Sequence, residues 1–210
     1  MSAPLERPDY WTQAITELAA ADPVMARLIA LYPDVNLRTR GDAFHTLARS
    51  IVGQQISVKA ADSVWNKLAT FLGDVTSRAV LGSSVDKLRA CGLSQRKVEY
   101  LSDLARHHHE GRLDPSAWHD WDDEAVIKEL VSIRGIGRWT AEMFLIFYLA
   151  RPDVLPLDDI GLIRGIALHY HQDERKSKAE LRELATLWQP WSSVATWYLW
   201  RSLDPVPVEY

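Results

Sequence analysis

The sequence predicts an all-α fold. Apolar residues recur at helical spacing along most of the chain, no segment of four or more residues alternates polar and apolar between hairpin turns, and capping residues or glycines fill the breaks. Taken in order, the periodicity places helices at about 9–20, 23–31, 43–52, 57–72, 76–81, 84–90, 94–110, 122–133, 138–150, 159–170, 177–188 and 191–202. Asp42, Ser57, Ser84, Ser94, Asp122 and Ser177 stand just before these runs, where a side-chain oxygen can accept from orphan backbone N–H groups. Ser177 with Glu180 reads as a capping box. Gly41, Gly53, Gly73, Gly92 and Gly111 fall where helices should close. Prolines make Pro152 to Leu157 and Pro205 to Pro207 extended.

The chain has 210 residues, enough for one domain or two small lobes with an ordinary core. Its 47% hydrophobic and 25% charged content is that of a globular protein, which excludes disordered, collagenous and coiled-coil classes. A single cysteine, Cys91, excludes an internal disulfide framework and a four-cysteine cluster. The longest apolar run, Met143 to Ala150, is less than half of the roughly 20 residues a membrane helix needs. The N-terminal residues contain no apolar signal core, so an intracellular location, cytoplasmic or nucleoid-associated, is expected. A net charge of −4 argues against coating nucleic acid by bulk electrostatics, so any such partner must be held by local geometry.

One segment offers that geometry. Between Leu130 and Phe144 an amphipathic helix runs into Gly135-Ile136-Gly137 and a second helix begins at once. Two glycines permit a tight turn with exposed N–H groups, Ile136 can plug the turn into the core, and the positive end of the next helix points where a phosphate can accept. This is a phosphate clamp that needs no basic side chain.

The pattern from Leu130 through Ile133, Gly135-Ile136-Gly137 and Thr140-Ala141 resembles the helix–hairpin–helix of DNA glycosylases. Two further motifs follow the order of that superfamily: Arg49 to Ser57 upstream, and Leu155 to Gly161 downstream, which carries Asp158 and Asp159. Within it the chain is similar to the alkylpurine branch, the 3-methyladenine DNA glycosylase II enzymes, over roughly residues 40 to 203. Trp139 stands where bifunctional members place a lysine nucleophile, so the resemblance implies a monofunctional enzyme. Arg134 replaces the proline often found before the hairpin and is expected to add a charge near the phosphate. No segment resembles the extra N-terminal β-domain of some relatives, which leaves lesion preference open.

The resemblance implies two helical lobes, residues 44–150 ending in the hairpin and residues 1–43 packed with 151–210, with an active-site cleft between them. Asp159 is the implied catalytic carboxylate, two residues before Gly161, and Asp158 is expected to cap the following helix. A fixed anion favours the positive charge that develops on the sugar as an N-glycosidic bond breaks. Trp139, Met143 and Trp200 match base-pocket positions, and electron-rich rings attract cationic alkylated purines. Gln55 falls at the wedge position that fills the gap left by a flipped nucleotide. Gln54, Gln55, Gly135, Ile136, Gly137, Arg138 and Thr140 are the expected DNA contacts.

The expected partner is double-stranded DNA containing alkylated bases, bound by a monomer, with no membrane role. No cofactor and no catalytic metal are expected; the family leaves room for a monovalent cation at the hairpin carbonyls. His107-His108-His109 diverge by about 100° per residue on a helix and read as a solvated helix end. Two other readings stay open. Both aspartates can serve only as helix caps, and the chain can be a non-enzymatic helix–hairpin–helix protein that binds distorted or branched DNA.

Overall fold

The computed structural model describes residues 7–33, 36–37 and 42–203. Among them the order is α1 (Trp11–Ala21), α2 (Pro23–Leu31), α3 (Ala43–Gly53), α4 (Val58–Leu72), α5 (Ser77–Leu81), α6 (Val85–Ala90), α7 (Gln95–His109), a 3-10 turn (Pro115–Trp118), α8 (Asp123–Val131), α9 (Arg138–Phe147), α10 (Ile160–Tyr170), α11 (Lys178–Ala185), a second 3-10 turn (Thr186–Trp188) and α12 (Ser192–Leu203). No strand occurs among the described residues, so the fold is all-α. No helix among them is long and apolar enough to cross a membrane.

Local capping explains most of the boundaries. Asp42, Ser57, Ser94 and Asp122 each accept a backbone N–H from the first turn that follows, and Ser177 forms the full capping box with Glu180. Ser84 makes no side-chain cap bond. Gly73, Gly92 and Gly111 take the left-handed closing conformation, whereas Gly53 is the last residue of α3 itself. Gly41 and the Pro205 to Pro207 tail lie outside the described residues. The helix starting at Arg138 stops at Phe147 rather than at residue 150, because the chain leaves the helical path at Ala150 (φ +51°) and the Arg151 N–H donates to the Leu145 carbonyl at 2.9 Å.

The chain divides into two compact units, one within Gly41–Phe144 and the other formed from Ala3–Arg40 with Leu145–Glu209. In the first, α7 is the central helix: α3, α5 and α6 pack against it, and α4 packs on α3. Its core includes Phe44, Leu47, Ile51, Leu68, Leu88, Leu101 and Leu104, all essentially sealed from solvent. Fully burying a side chain of this kind contributes about 1.5–3 kcal/mol. His107 belongs to this packing and is no solvated helix end; it is buried, with Nδ1 3.0 Å from the Asp103 carbonyl. His108 is 2.9 Å from Ser77 Oγ.

In the second unit α12 is central and packs on α1, α2 and α10. The buried Asp22 fastens it. One carboxylate oxygen caps α2 by accepting the Val24 N–H at 2.8 Å, and the other accepts the Tyr170 hydroxyl at 2.5 Å and the Trp188 indole N–H at 3.0 Å. Burial pushes the Tyr170 phenol well above its ordinary range, and the Asp22 hydrogen bond and charge add to the effect.

Candidate functional site

The hairpin turn is gripped by α7 and α3. Gly135 has φ +87°, a conformation L side chains rarely adopt, and a Cβ there would lie 2.3 Å from the Tyr100 ring. Next to it, the Arg134 backbone N–H donates to Asp103 Oδ2 at 2.9 Å. From the other direction Gln54, the C-cap of α3, donates its side-chain amide to the Gly135 carbonyl at 2.8 Å. Ile133 and Ile136 are buried, so the apolar plug reading of Ile136 holds. Burial alone would raise the Asp103 carboxyl, but hydrogen bonds from Arg106 and Arg134, with the charges of His107 and Arg106, hold it below its ordinary range.

Gly137 is different. It is exposed, its φ is not left-handed, and a Cβ there would meet nothing within 4 Å. The first N–H groups of α9, which have no partner within their own helix, follow directly. The two nearby arginines are engaged with acidic neighbours. Arg138 makes a two-pronged ion pair with Glu124 and donates Nε to Glu142 at 2.9 Å. Hydrogen bonding to Glu124 raises the guanidinium above its ordinary range. Arg134, expected to place its charge near a phosphate, pairs with Glu99 at 3.2 Å.

Gln55 is exposed with φ +60°, a strained conformation for a non-glycine residue, in the turn that Gln54 ties to the hairpin. Lys97 braces that turn by donating Nζ to the Val52 carbonyl at 2.7 Å, and burial lowers its pKa. Trp139 and Met143 lie four residues apart on one face of α9, Trp139 half-buried and Met143 buried, with Thr140 buried beside them.

The second unit holds the carboxylates. Asp159 is the N-cap of α10: its Oδ1 accepts the Leu162 N–H at 2.6 Å and the Trp200 indole N–H at 2.7 Å. The expected division of labour, with Asp158 as the cap, is therefore corrected. Asp158 is exposed and pairs with Lys178 at the start of α11. Tertiary contacts match this assignment: Trp200, 41 residues away, donates to the same Asp159 oxygen that caps α10, while Lys178 takes Asp158. Trp200 stacks on Phe147 with centroids 5.8 Å apart and planes 11° from parallel. The structure thus brings Asp159 together with Trp200, Trp139 with Met143, and Gln54 with Gly135.

Sequence reasoning missed Tyr100, Asp103 and Phe147, for which only the fold supplies the signal. It also missed the reason for Gly161. A Cβ on Gly161 would come within 3.0 Å of both Asp159 Oδ1 and Trp200 Cδ1, and one on Gly165 within 3.0 Å of Leu199 Cβ. Two glycines four apart lie on one helix face, and that spacing was a readable sign of close helix approach.

Comparison with known proteins gives these features their context. Bacillus subtilis YfjP is 31% identical over 169 residues, covering 77% of this chain, while the chain spans only 59% of that relative. A DNA-3-methyladenine glycosidase from Bacillus halodurans superposes with a TM-score of 0.83 at 33% identity, covering 96% of this chain and 92% of its own. The Schizosaccharomyces pombe 3-methyladenine DNA glycosylase in complex with abasic DNA superposes with a TM-score of 0.78 at 27% identity, covering 94% of this chain and all of its own. The family model for HhH-GPD superfamily base excision DNA repair proteins matches residues 48–190, from before the first glutamine turn to beyond Asp159, and the chain belongs to that superfamily.

Proposed function

We propose that this protein is a monofunctional DNA glycosylase that acts as a monomer, flips alkylated purines such as 3-methyladenine and 7-methylguanine out of duplex DNA, and hydrolyses their N-glycosidic bond. The observation that carries this reading is the Asp159 carboxylate, fixed by two N–H donors at the positive end of α10. As the C1′–N bond breaks, the base leaves with the bonding electrons and positive charge builds on the sugar. An anion already oriented for that charge lowers the barrier without reorganising. The cationic base leaves as a neutral purine, and water then adds its oxygen to C1′ and releases a proton to solvent, leaving an abasic site.

Trp139 at the hairpin helix offers no amine for a Schiff base, which supports water as the nucleophile. Trp139, Met143 and Trp200 are the proposed base contacts, and cationic alkylated purines gain roughly 0.5–2 kcal/mol from electron-rich rings. Gln55, with Ile56 exposed beside it, is the proposed wedge. Gly137 and the first N–H groups of α9 are the proposed phosphate contacts, supported by the open space over the Gly137 Cα. A monovalent cation at the hairpin carbonyls belongs to the same proposal, where it would supply positive charge toward the phosphate. The names of the Bacillus halodurans and Schizosaccharomyces pombe neighbours support the substrate class.

Asp159→Asn tests the reading. Asparagine can still cap α10 and accept from Trp200, so the fold and DNA binding should survive while excision from a methylated duplex falls on the order of 10²–10³ in single turnover. Asp158→Asn should cost far less. Wild-type excision by Asp159→Asn would remove that residue from the chemistry. A wild-type protein that releases no base from any damaged duplex would hand the site to the second reading, a binder of distorted DNA.

A further inference from the structure

We propose that Trp200 is a positioning residue that holds the Asp159 carboxylate through its indole N–H, and that Gly161 keeps open the space in which the two meet; the inference rests on the catalytic reading of Asp159. Three independent features make this contact a built one. The donor lies 2.7 Å from Oδ1, the same oxygen that accepts the Leu162 N–H, so the carboxylate is aimed from its own helix and from α12 at once. The near-parallel stack on Phe147 fixes the plane of the indole and hence the direction of its N–H. A Cβ on Gly161 would sit 3.0 Å from Asp159 Oδ1 and 3.2 Å from Trp200 Nε1, so any side chain there presses on the contact.

The two partners are also tied together through their backbones. Asp153 Oδ1 accepts the Ser192 N–H and hydroxyl at 3.2 and 2.5 Å. Ser193 Oγ donates to the Arg151 carbonyl at 2.6 Å and accepts the Val154 N–H at 3.0 Å. The loop that delivers Asp159 is thereby stitched to the start of the helix that delivers Trp200. Gly165 lets the Leu199 backbone approach to the same end, with a Cβ there 3.2 Å from the Leu199 carbonyl oxygen. The resulting role differs from stacking on a base: the polar edge of the indole is directed at the carboxylate, where it orients a charge that must be in place before the bond breaks.

Trp200→Phe removes the N–H and keeps a ring to stack on Phe147. Excision from pre-bound methylated duplex should slow by about tenfold or more, while equilibrium binding to an abasic-site duplex stays within about twofold. Combined with Asp159→Asn, it should add no further loss, because the negative charge that the indole orients is already gone. In a 1H–15N spectrum the indole peak missing from Trp200→Phe should move in Asp159→Ala. Gly161→Ala, which keeps both partners and crowds them, should show the same rate loss and a displaced peak, and carries the test if Trp200→Phe does not fold. A wild-type rate in Trp200→Phe, a full additional loss in the double variant, or an unmoved indole peak overturns the proposal. If the peak moves but the wild type shows no excision that depends on Asp159, the contact stands and the glycosylase reading is what fails.

Discussion

Gly135 and Gly137 are identical in the sequence and separated by one residue, yet they answer to different constraints. Gly135 is required by the protein itself, through its φ of +87° and the Tyr100 ring against its Cα. Replacing it with alanine combines left-handed strain of about 1–2 kcal/mol with a steric clash of about 1–3 kcal/mol, so the melting temperature should fall by several degrees or more. Gly137 has open space and no such φ. Gly137→Val should change stability by less than about 1 kcal/mol and still weaken binding to lesion and undamaged duplexes alike, since phosphate contacts carry no base information. Unchanged binding by a folded Gly137→Val would show that the phosphate lies elsewhere. Asp159 shows the limit of reading residues from sequence. The motif offered two adjacent carboxylates, and either aspartate is a suitable cap. The long-range partners, the Trp200 indole for Asp159 and Lys178 for Asp158, are not written beside the motif.

Elements were legible wherever their boundaries are set locally. The caps at Asp42, Ser57, Ser94, Asp122 and Ser177 need only the residues beside them, and those helix starts were read to within a residue or so. The 3-10 turn after α11 and the fastening of α2 depend on distant partners, and they were not legible; the end of α9 turns on a left-handed alanine, Ala150, that no residue type announces. Asp22 is the clearest case. Asp22→Ala should cost on the order of 3 kcal/mol, because it removes a cap and leaves the Tyr170 and Trp188 donors buried without their acceptor. Tyr170→Phe should cost less, and the double variant should be less than additive; full additivity in thermal unfolding would show that the two do not act as one network. Asp103 gives an element-scale prediction in pH. Its carboxyl is held below the ordinary value of 3.8 in the folded protein, so its charge contributes stability above that pH and the contribution is lost as pH falls through the folded value. The stability advantage of wild type over Asp103→Asn should be full at neutral pH and vanish in the most acidic buffers in which both still fold. An advantage that persists there would show that the hairpin is held by packing alone.

At the scale of the whole molecule, charge and function pull in opposite directions. The chain carries a formal net charge of −4, while the partner proposed for it is a polyanion. The structure sharpens the conflict, since Arg134 and Arg138, which flank the hairpin turn in the sequence, are paired with Glu99, Glu124 and Glu142. Under the proposed reading, backbone N–H groups would resolve it. A helix terminus attracts phosphate through dipoles that need no net charge, and it displaces fewer condensed counterions than a row of lysines would. The whole-molecule prediction is therefore a shallow salt dependence. The logarithm of the duplex association constant against the logarithm of salt concentration should have a slope no steeper than about −3, equivalent to roughly three neutralised phosphates at about −0.9 each. Fluorescence anisotropy with an undamaged duplex across a series of potassium chloride concentrations measures it directly. A slope near −6 or beyond would mean that side-chain cations dominate the contact. The ion pairs of Arg134 and Arg138 would then have to open on binding, and Arg138→Gln would flatten the slope by about one unit. If the backbone clamp carries the contact, Arg138→Gln should leave the slope where it was.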